Sequence, residues 1–546
     1  MRANLLRSVL VVTALLAGAA ALAAQESLPP PLVSWQELLD GLTPDGSRWL
    51  TFGGDFTNQR HSPLTQVTPA NVNRLQQQWT FQTGTLGNFE TTTLVRDNVL
   101  YVTGPQNVAW ALDARTGRQI WRYRRELPAN LTACCGLVNR GFGVLGDKLY
   151  MVTLDAHLLA LDMKTGAVAW DATMEEYKNG YAATIAPLVV KDKVIVGVAG
   201  GEFGIRGFIE AYDAQTGKRA WRFYTIPGPG EPGHDTWSGD SWKIGGASVW
   251  VTGAYDPEQN IVMMGIGNPG PDYYGAERKG DNLYSASIVA LDADTGRLRW
   301  HYQFTPHDVH DWDATEVPIL ADLTINGQLR KTVMFANRNG FFYTLDRTNG
   351  KVILAKPFVT TTWAKEIGAN GRPVELPGHT PDEAGKVTCP DLTGGTNFWP
   401  PSYDPSTRLF FVNARESCMT YFAFKPEYKP GERFTGGAGQ RVTSLPVYGA
   451  LRAIDPTTGE RKWEYRLLSP STAGLLTTAS GLLFGGDSDG NLLALDSRTG
   501  KLLWRYQMGA TLHGTSPITY MLDGRQHVLV PAGTTLTAWA LPQSGQ

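Results

Sequence analysis

The sequence predicts an all-β chain, an eight-bladed β-propeller of four-stranded antiparallel blades. Three observations point there. A hairpin motif recurs along the chain, the spacing of its copies suits one blade each, and 60 glycines supply turns while no helical heptad pattern competes.

The motif is an apolar pair, then Asp, three residues, Gly and Trp. ALDARTGRQIW, ALDMKTGAVAW, AYDAQTGKRAW, ALDADTGRLRW, AIDPTTGERKW and ALDSRTGKLLW carry Asp113, Asp162, Asp213, Asp292, Asp455 and Asp496 at the same offset from Gly and Trp. A seventh copy, TLDRTNGKVIL, keeps Asp346 and Gly350 but has Leu354 in place of the Trp. The apolar pair ends one strand, the Asp-x-x-x-Gly element makes a tight turn in which Gly supplies positive φ, and the Trp begins the next strand. A Trp at one fixed offset in each copy reads as packing between blades rather than as a ligand site. Successive Asp residues lie 49, 51, 79, 54, 109 and 41 positions apart. The 109-residue interval is long enough for two blades, with a degenerate one expected around 402–412, and the 79-residue interval is expected to carry a long inserted loop.

Ahead of the repeats, Arg2 and Arg7 precede an apolar run from Val9 to Ala23 that ends in small residues, the pattern of an export signal. That run is too short to span a bilayer, and no later stretch approaches about 18 consecutive apolar residues. The expected organisation is a signal peptide over 1–24, cleaved near Ala23 or Ala24, and a single propeller domain over 25–546, without a membrane span, in an oxidising periplasmic compartment. A formal net charge of -2 with no block of like charge leaves neither nucleic acid nor an anionic membrane surface as an evident partner.

Fold alone does not give function, so the argument passes to the site. Cys134 and Cys135 are adjacent, and free thiols are disfavoured in an exported protein. Two pairings stay open. A bond between the neighbours is strained, because adjacent Cα atoms sit about 3.8 Å apart, below the usual range of about 4.4–6.8 Å. The alternative is a separate bond from each to Cys389 or Cys418.

TACCGLVNRG, GYAATIAPLVV, VGVAGGEFGIRGF, WVTGAYDPEQN, GIGNPGP, TPHDVHDWD, ANRNGFFYTLDR and GGTNFWPPSYDP, in that order, resemble the pyrroloquinoline quinone (PQQ)-dependent alcohol dehydrogenases, the methanol and ethanol dehydrogenase family. The resemblance implies that Cys134 and Cys135 form a ring disulfide against the quinone, leaving Cys389 and Cys418 to pair. It implies metal ligation by Glu202, Asn268 and Asp311, an all-oxygen donor set suited to a hard cation such as Ca²⁺. Cofactor contacts carry over to Glu90, Arg140, Thr184, Gly200, Gly201, Trp250, Arg338 and Asn397. In this reading Arg140 neutralises carboxylate, Trp250 stacks on the ring and Arg338 donates to the quinone oxygens.

Asp313 sharpens the choice of metal. On an extended segment it shares a face with Asp311, and two carboxylates roughly 4–5 Å apart repel by several kcal/mol at an effective dielectric of about 20. A cation between them removes that cost, and in the resembled family an acid at this position goes with lanthanide use. Asp313 is therefore the fourth expected ligand. Two departures from the family pattern are Ala199, where many members have Ser, and Thr472, near a position where many place a Trp.

The implied activity is oxidation of a small alcohol, with Asp311 as general base, the metal as Lewis acid and Arg338 stabilising charge on the quinone. The sequence has no C-x-x-C-H haem site, so the expected acceptor is a separate periplasmic cytochrome c. A homodimer is kept among the expectations. The alternatives are a calcium-dependent sugar or polyol quinoprotein dehydrogenase and a non-catalytic propeller scaffold, which would need neither the paired cysteines nor the oxygen donors.

Overall fold

The computed structural model describes residues 32–543; the expected signal peptide lies outside them. Within each repeat the turn is held by its own Asp. The Asp213 carboxylate accepts from the Gln215 and Thr216 backbone N–H groups and the Thr216 hydroxyl, and Gly217 follows at φ +68°. Asp113, Asp162, Asp292 and Asp496 bond the Thr three residues on in the same way. The hairpin is thereby closed locally before any blade packs.

Each closed turn then receives the Trp of the preceding blade. The indole of Trp121 donates to the Met163 carbonyl, Trp170 to Ala214, Trp221 to Ala293, Trp300 to Arg347 and Trp463 to Ser497, in each case the residue after the Asp. The ring lies flat on the turn glycine. A Cβ at Gly217 would fall 2.7 Å from Trp170, and one at Gly296 would fall 2.5 Å from Trp221. Gly is thus needed twice, for the left-handed φ and for the close approach of the ring. The repeated Trp residues are packing elements, as their fixed offset predicts.

The result is a β-propeller. Among the described residues there are seven four-stranded sheets and one of five strands, nearly all meanders in chain order. Middle strands such as Val99–Gly104 and Val108–Asp113 are buried almost throughout, because neighbouring blades cover both faces. The outer strand Gln119–Arg124 alternates, with Trp121 turned inward.

Two details differ from expectation. Residues 402–412 do not form a blade of their own: Ser402–Asp404 and Leu409–Glu416 pair onward with Tyr448–Ile454 and Arg461–Leu467, the hairpin that carries Asp455. The long interval is filled instead by an inserted hairpin, Ala364–Ile367 with Pro373–Glu375, and a three-stranded sheet of Lys386–Thr388, Met419–Ala423 and Gly437–Arg441. The sheet without the motif joins the two ends of the chain, with Gln76–Gln82 pairing antiparallel to Thr535–Ala540 and closing the ring. Its Trp79 donates to Ala114 as the repeated tryptophans do, yet no Asp-Gly turn marks it, because the strand before it in the sheet comes from the far end of the sequence. The 79-residue interval does hold inserted loops, on either side of the short strands Ala254–Asp256 and Ile261–Gly265.

Candidate active site

Loops at one end of the blades converge on a cavity of about 220 Å³. Of the residues singled out from the sequence, Glu90, Cys134, Cys135, Arg140, Thr184 and Gly200 line it on one stretch of wall. Glu202, Trp250, Asp311, Asp313, Arg338 and Asn397 complete the set, so segments far apart in the chain meet as the motifs predict. Ala199 lines it too. Gly201 and Asn268 are not on the wall. Gly201 packs behind its neighbours, where a Cβ would sit 3.2 Å from the Ser248 hydroxyl, and Asn268 is tied to the site through its backbone N–H, which donates to Asp313 Oδ1 at 2.7 Å. Gly200 has a backbone reason of its own: at φ +115° a Cβ would fall 2.1 Å from the Gly180 carbonyl oxygen.

Cys134 and Cys135 are bonded to each other, and Cys389 to Cys418. The second bond staples two paired strands of the inserted three-stranded sheet, next to Thr388 and Met419. Cys135 Sγ lies 3.8 Å from the Glu202 carboxylate, so the disulfide and the acidic cluster share one wall.

The basic side is built from two guanidinium groups. Arg140 pairs with Glu90 at 2.8 Å, donates to the Thr184 hydroxyl at 2.6 Å and lies 4.7 Å from the Trp250 ring centre. Arg338 sits between the two acids of the HDWD segment, 2.9 Å from Asp313 Oδ2 and 3.8 Å from Asp311 Oδ1, and donates to Asn397 Oδ1. Burial lowers the Arg140 pKa, whereas for Arg338 the burial penalty is overcome by Asp313 and its neighbouring carboxylates, which raise it. Glu316 places Arg338 by accepting from its backbone N–H at 3.0 Å.

Asp311 and Asp313 face one cavity, but not on an extended segment, because Asp311 has φ +62°. The turn is pinned from behind. The Asp308 carboxylate accepts from the Trp312 backbone N–H, the Trp312 indole donates to the Asp391 carbonyl, and Trp312 and His310 stack at 4.3 Å inside the core. A non-glycine residue in the left-handed region costs about 1–3 kcal/mol, and such residues concentrate at functional sites.

The acidic side is crowded. Burial pushes the Glu202 carboxyl up, and the nearby Asp313 carboxylate adds to it. Asp311 is pushed well above the ordinary carboxyl range by burial first and then by Asp272. Asp272 is itself pushed up by burial and by Glu202. Carboxylates that raise one another in a buried cavity call for a cation. The donor set fits a hard metal ion: Glu202, Asp311 and Asp313 offer carboxylate oxygens to the cavity, while His513 lies by Glu90. The guanidinium side fits a planar polyanion: among the described residues the buried Arg140 Nε and Arg338 Nε lack hydrogen-bond partners, and Trp250 and Phe398 present aromatic surface beside Arg140.

The family model for the PQQ glucose/ethanol/alcohol dehydrogenase β-propeller domain matches residues 49–357 and 432–528. The chain belongs to this family. The unmatched stretch is the region of the inserted hairpin and most of the three-stranded sheet. The quinoprotein is 38% identical to the quinoprotein alcohol dehydrogenase PedH of Pseudomonas putida, over 96% of this chain and 91% of the relative. It is 37% identical to the lanthanide-dependent methanol dehydrogenase of Methylacidiphilum fumariolicum, over 90% of this chain and 85% of that one. Among solved structures it matches a europium-containing methanol dehydrogenase with a TM-score of 0.88 and 34% identity, covering 93% of this chain and 100% of the other.

Several wall residues escaped the sequence reading. Val138, Ser248, Leu392, Thr393, Phe398 and His513 also line the cavity. His513 lies 3.4 Å from Glu90, on a loop held by Thr472, whose hydroxyl donates to the Leu512 carbonyl and whose own carbonyl accepts from Gly514. Near the position where many members of the family place a Trp, Thr472 thus anchors the loop that carries His513. Phe398 follows Asn397 and could have been read from the GGTNFW motif, while nothing adjacent to His513 marks it.

Proposed function

We propose that the chain is a periplasmic PQQ-dependent alcohol dehydrogenase that works with a lanthanide in preference to Ca²⁺ and passes electrons to a cytochrome c. The observation that carries the reading is the placement of Asp311. It is a partly open carboxylate beside Arg338, within one acidic cluster and in the same cavity as the vicinal disulfide. A propeller of eight blades in a single domain over 25–546 goes with this reading, supported by the four- and five-stranded sheets of the described residues.

When bound, PQQ supplies a two-electron acceptor and the metal a Lewis acid. Arg140, Arg338, Trp250 and the Cys134–Cys135 wall would hold the quinone, and Glu202, Asn268, Asp311 and Asp313 the metal. Asp311 accepts the proton of the alcohol hydroxyl at its carboxylate, the role of a general base. Arg338 keeps Asp311 and Asp313 oriented, fixed in turn by Glu316 and Asn397. Val138, Leu392, Trp250 and Phe398 give the cavity an apolar share that limits water and suits a small alcohol. The lanthanide preference is supported by Asp313, which adds a negative oxygen donor next to Asp311, and by the relatives named above. A scaffold has no use for this cavity.

The test is dye-linked activity across alcohols and sugars after loading with PQQ and either Ca²⁺ or La³⁺. Oxidation of primary alcohols, higher with La³⁺, is expected. Activity confined to sugars, or higher with Ca²⁺, would replace this reading by the calcium-dependent sugar or polyol one.

A further inference from the structure

Asp272 takes no part in the mechanism above, yet it is a fully buried carboxylate. It is 1% exposed, and its Oδ2 has no hydrogen-bond partner among the described residues. A buried carboxylate normally finds a guanidinium. Arg278 is close enough to act on it electrostatically, but its nitrogens go elsewhere, to the Pro271 and Asp308 carbonyls and to Asn282. Besides Arg278, the charged groups that act on Asp272 are acidic. Glu202 acts on it most strongly, then Asp313, and Asp272 is in turn the neighbour that acts most strongly on Asp311. The loop from Asn268 to Asp272 places it there by packing Gly270 against the Gly201 carbonyl, beside Glu202.

One contact gives it a direction. Asp272 Oδ1 accepts from Asn268 Nδ2 at 3.0 Å. In this contact the Asn268 amide presents its NH₂ to Asp272, which leaves its carbonyl oxygen as the end available to a cation. Asn268 is one of the four expected metal ligands.

We propose that Asp272 is a positioning and charge-supplying member of the metal site. It fixes the Asn268 amide so that oxygen rather than nitrogen is offered to the ion, and it brings a fourth carboxylate to the cluster of Glu202, Asp311 and Asp313, which favours a trivalent over a divalent cation. This rests on the metal-site reading above and extends it to a residue outside the resembled ligand set. Ligand charge count is a main control of affinity for hard cations, and a charge that no protein cation balances is balanced best by the ion of highest charge.

The test uses the full-length PQQ-loaded protein, wild type and Asp272→Asn, titrated with Tb³⁺ by sensitised luminescence and in competition with Ca²⁺. The melting temperature is followed with and without metal. Tb³⁺ affinity is expected to fall by about tenfold or more in the variant, with Ca²⁺ affinity falling less, so that the selectivity ratio shrinks. The metal-free variant should melt above metal-free wild type, since one crowded carboxylate is gone, and should gain less on adding Tb³⁺. A merely structural Asp272 would lower the melting temperature in both states and leave the ratio alone; that result overturns the proposal. Asp272→Ser, which keeps a hydroxyl acceptor for Asn268 in less volume, reads the same ratio where Asp272→Asn does not fold. Failure of wild type to bind Tb³⁺ would instead overturn the metal-site reading itself.

Discussion

At the blade junctions the polar groups of the repeat find partners within the protein. The Trp221 indole donates to Ala293, and the Asp292 carboxylate takes the Thr295 backbone N–H and hydroxyl. At the central cavity the balance is missing: among the described residues Asp272 Oδ2, Arg140 Nε and Arg338 Nε have no hydrogen-bond partner, and acids act on acids. The rim is complete without a ligand, while the centre is completed by one. Stability and chemistry should therefore separate cleanly on mutation.

The largest separation is expected at Asp311. Asp311→Asn keeps the shape and an oxygen donor but removes the base, so turnover should drop by about 10²–10⁴-fold while PQQ content and melting temperature hold. A PQQ-loaded variant with near-normal turnover would remove Asp311 from the base role. The reverse is expected at Trp221, which packs on Gly296 of the next blade. Trp221→Ala should cost about 3–5 kcal/mol in denaturant unfolding, with KM and metal preference of the folded protein unchanged. A loss below about 1 kcal/mol would mean that the indole contact is dispensable.

A third variant sharpens the comparison through pH. Arg347 bridges adjacent blades, 2.7 Å from Asp256. Burial alone would raise the Asp256 carboxyl, but Arg347 and Gln259 overcome it and hold it below its ordinary value. A depressed carboxyl contributes stability that is present above its unfolded pKa, about 3.9, and is lost as pH falls through the lower native value. Arg347→Met should accordingly cost roughly 3 kcal/mol near neutral pH, and its gap from wild type should narrow below about pH 4. A gap independent of pH would mean that lost packing, not charge, sets the cost. The smallest effect is one of preference. Asp313→Ala should weaken selectivity for La³⁺ over Ca²⁺ by about tenfold with PQQ still bound, and an unchanged selectivity would leave Asp313 as a partner of Arg338 only.

What the sequence by itself determined is whatever is local or repeated. The Asp-x-x-Thr-Gly turn closes within a few residues, and the Trp at constant offset must meet its next copy, so the propeller was legible without coordinates. The site motifs were legible because each is a short loop with its own composition, and the cavity gathers most of them. Only the tertiary structure decided the rest. The ring closes by pairing Gln76–Gln82 with Thr535–Ala540, a partnership that no local pattern announces, which is why the degenerate blade was sought at 402–412 instead. Arg338 lies between Asp311 and Asp313, His513 meets Glu90, and Asp272 holds Asn268 while facing Glu202. The physical reason is common to these cases. A turn is set by its own backbone, but the field at a buried carboxylate is the sum over groups from every blade that reaches the axis, and that sum exists only once the ring has closed.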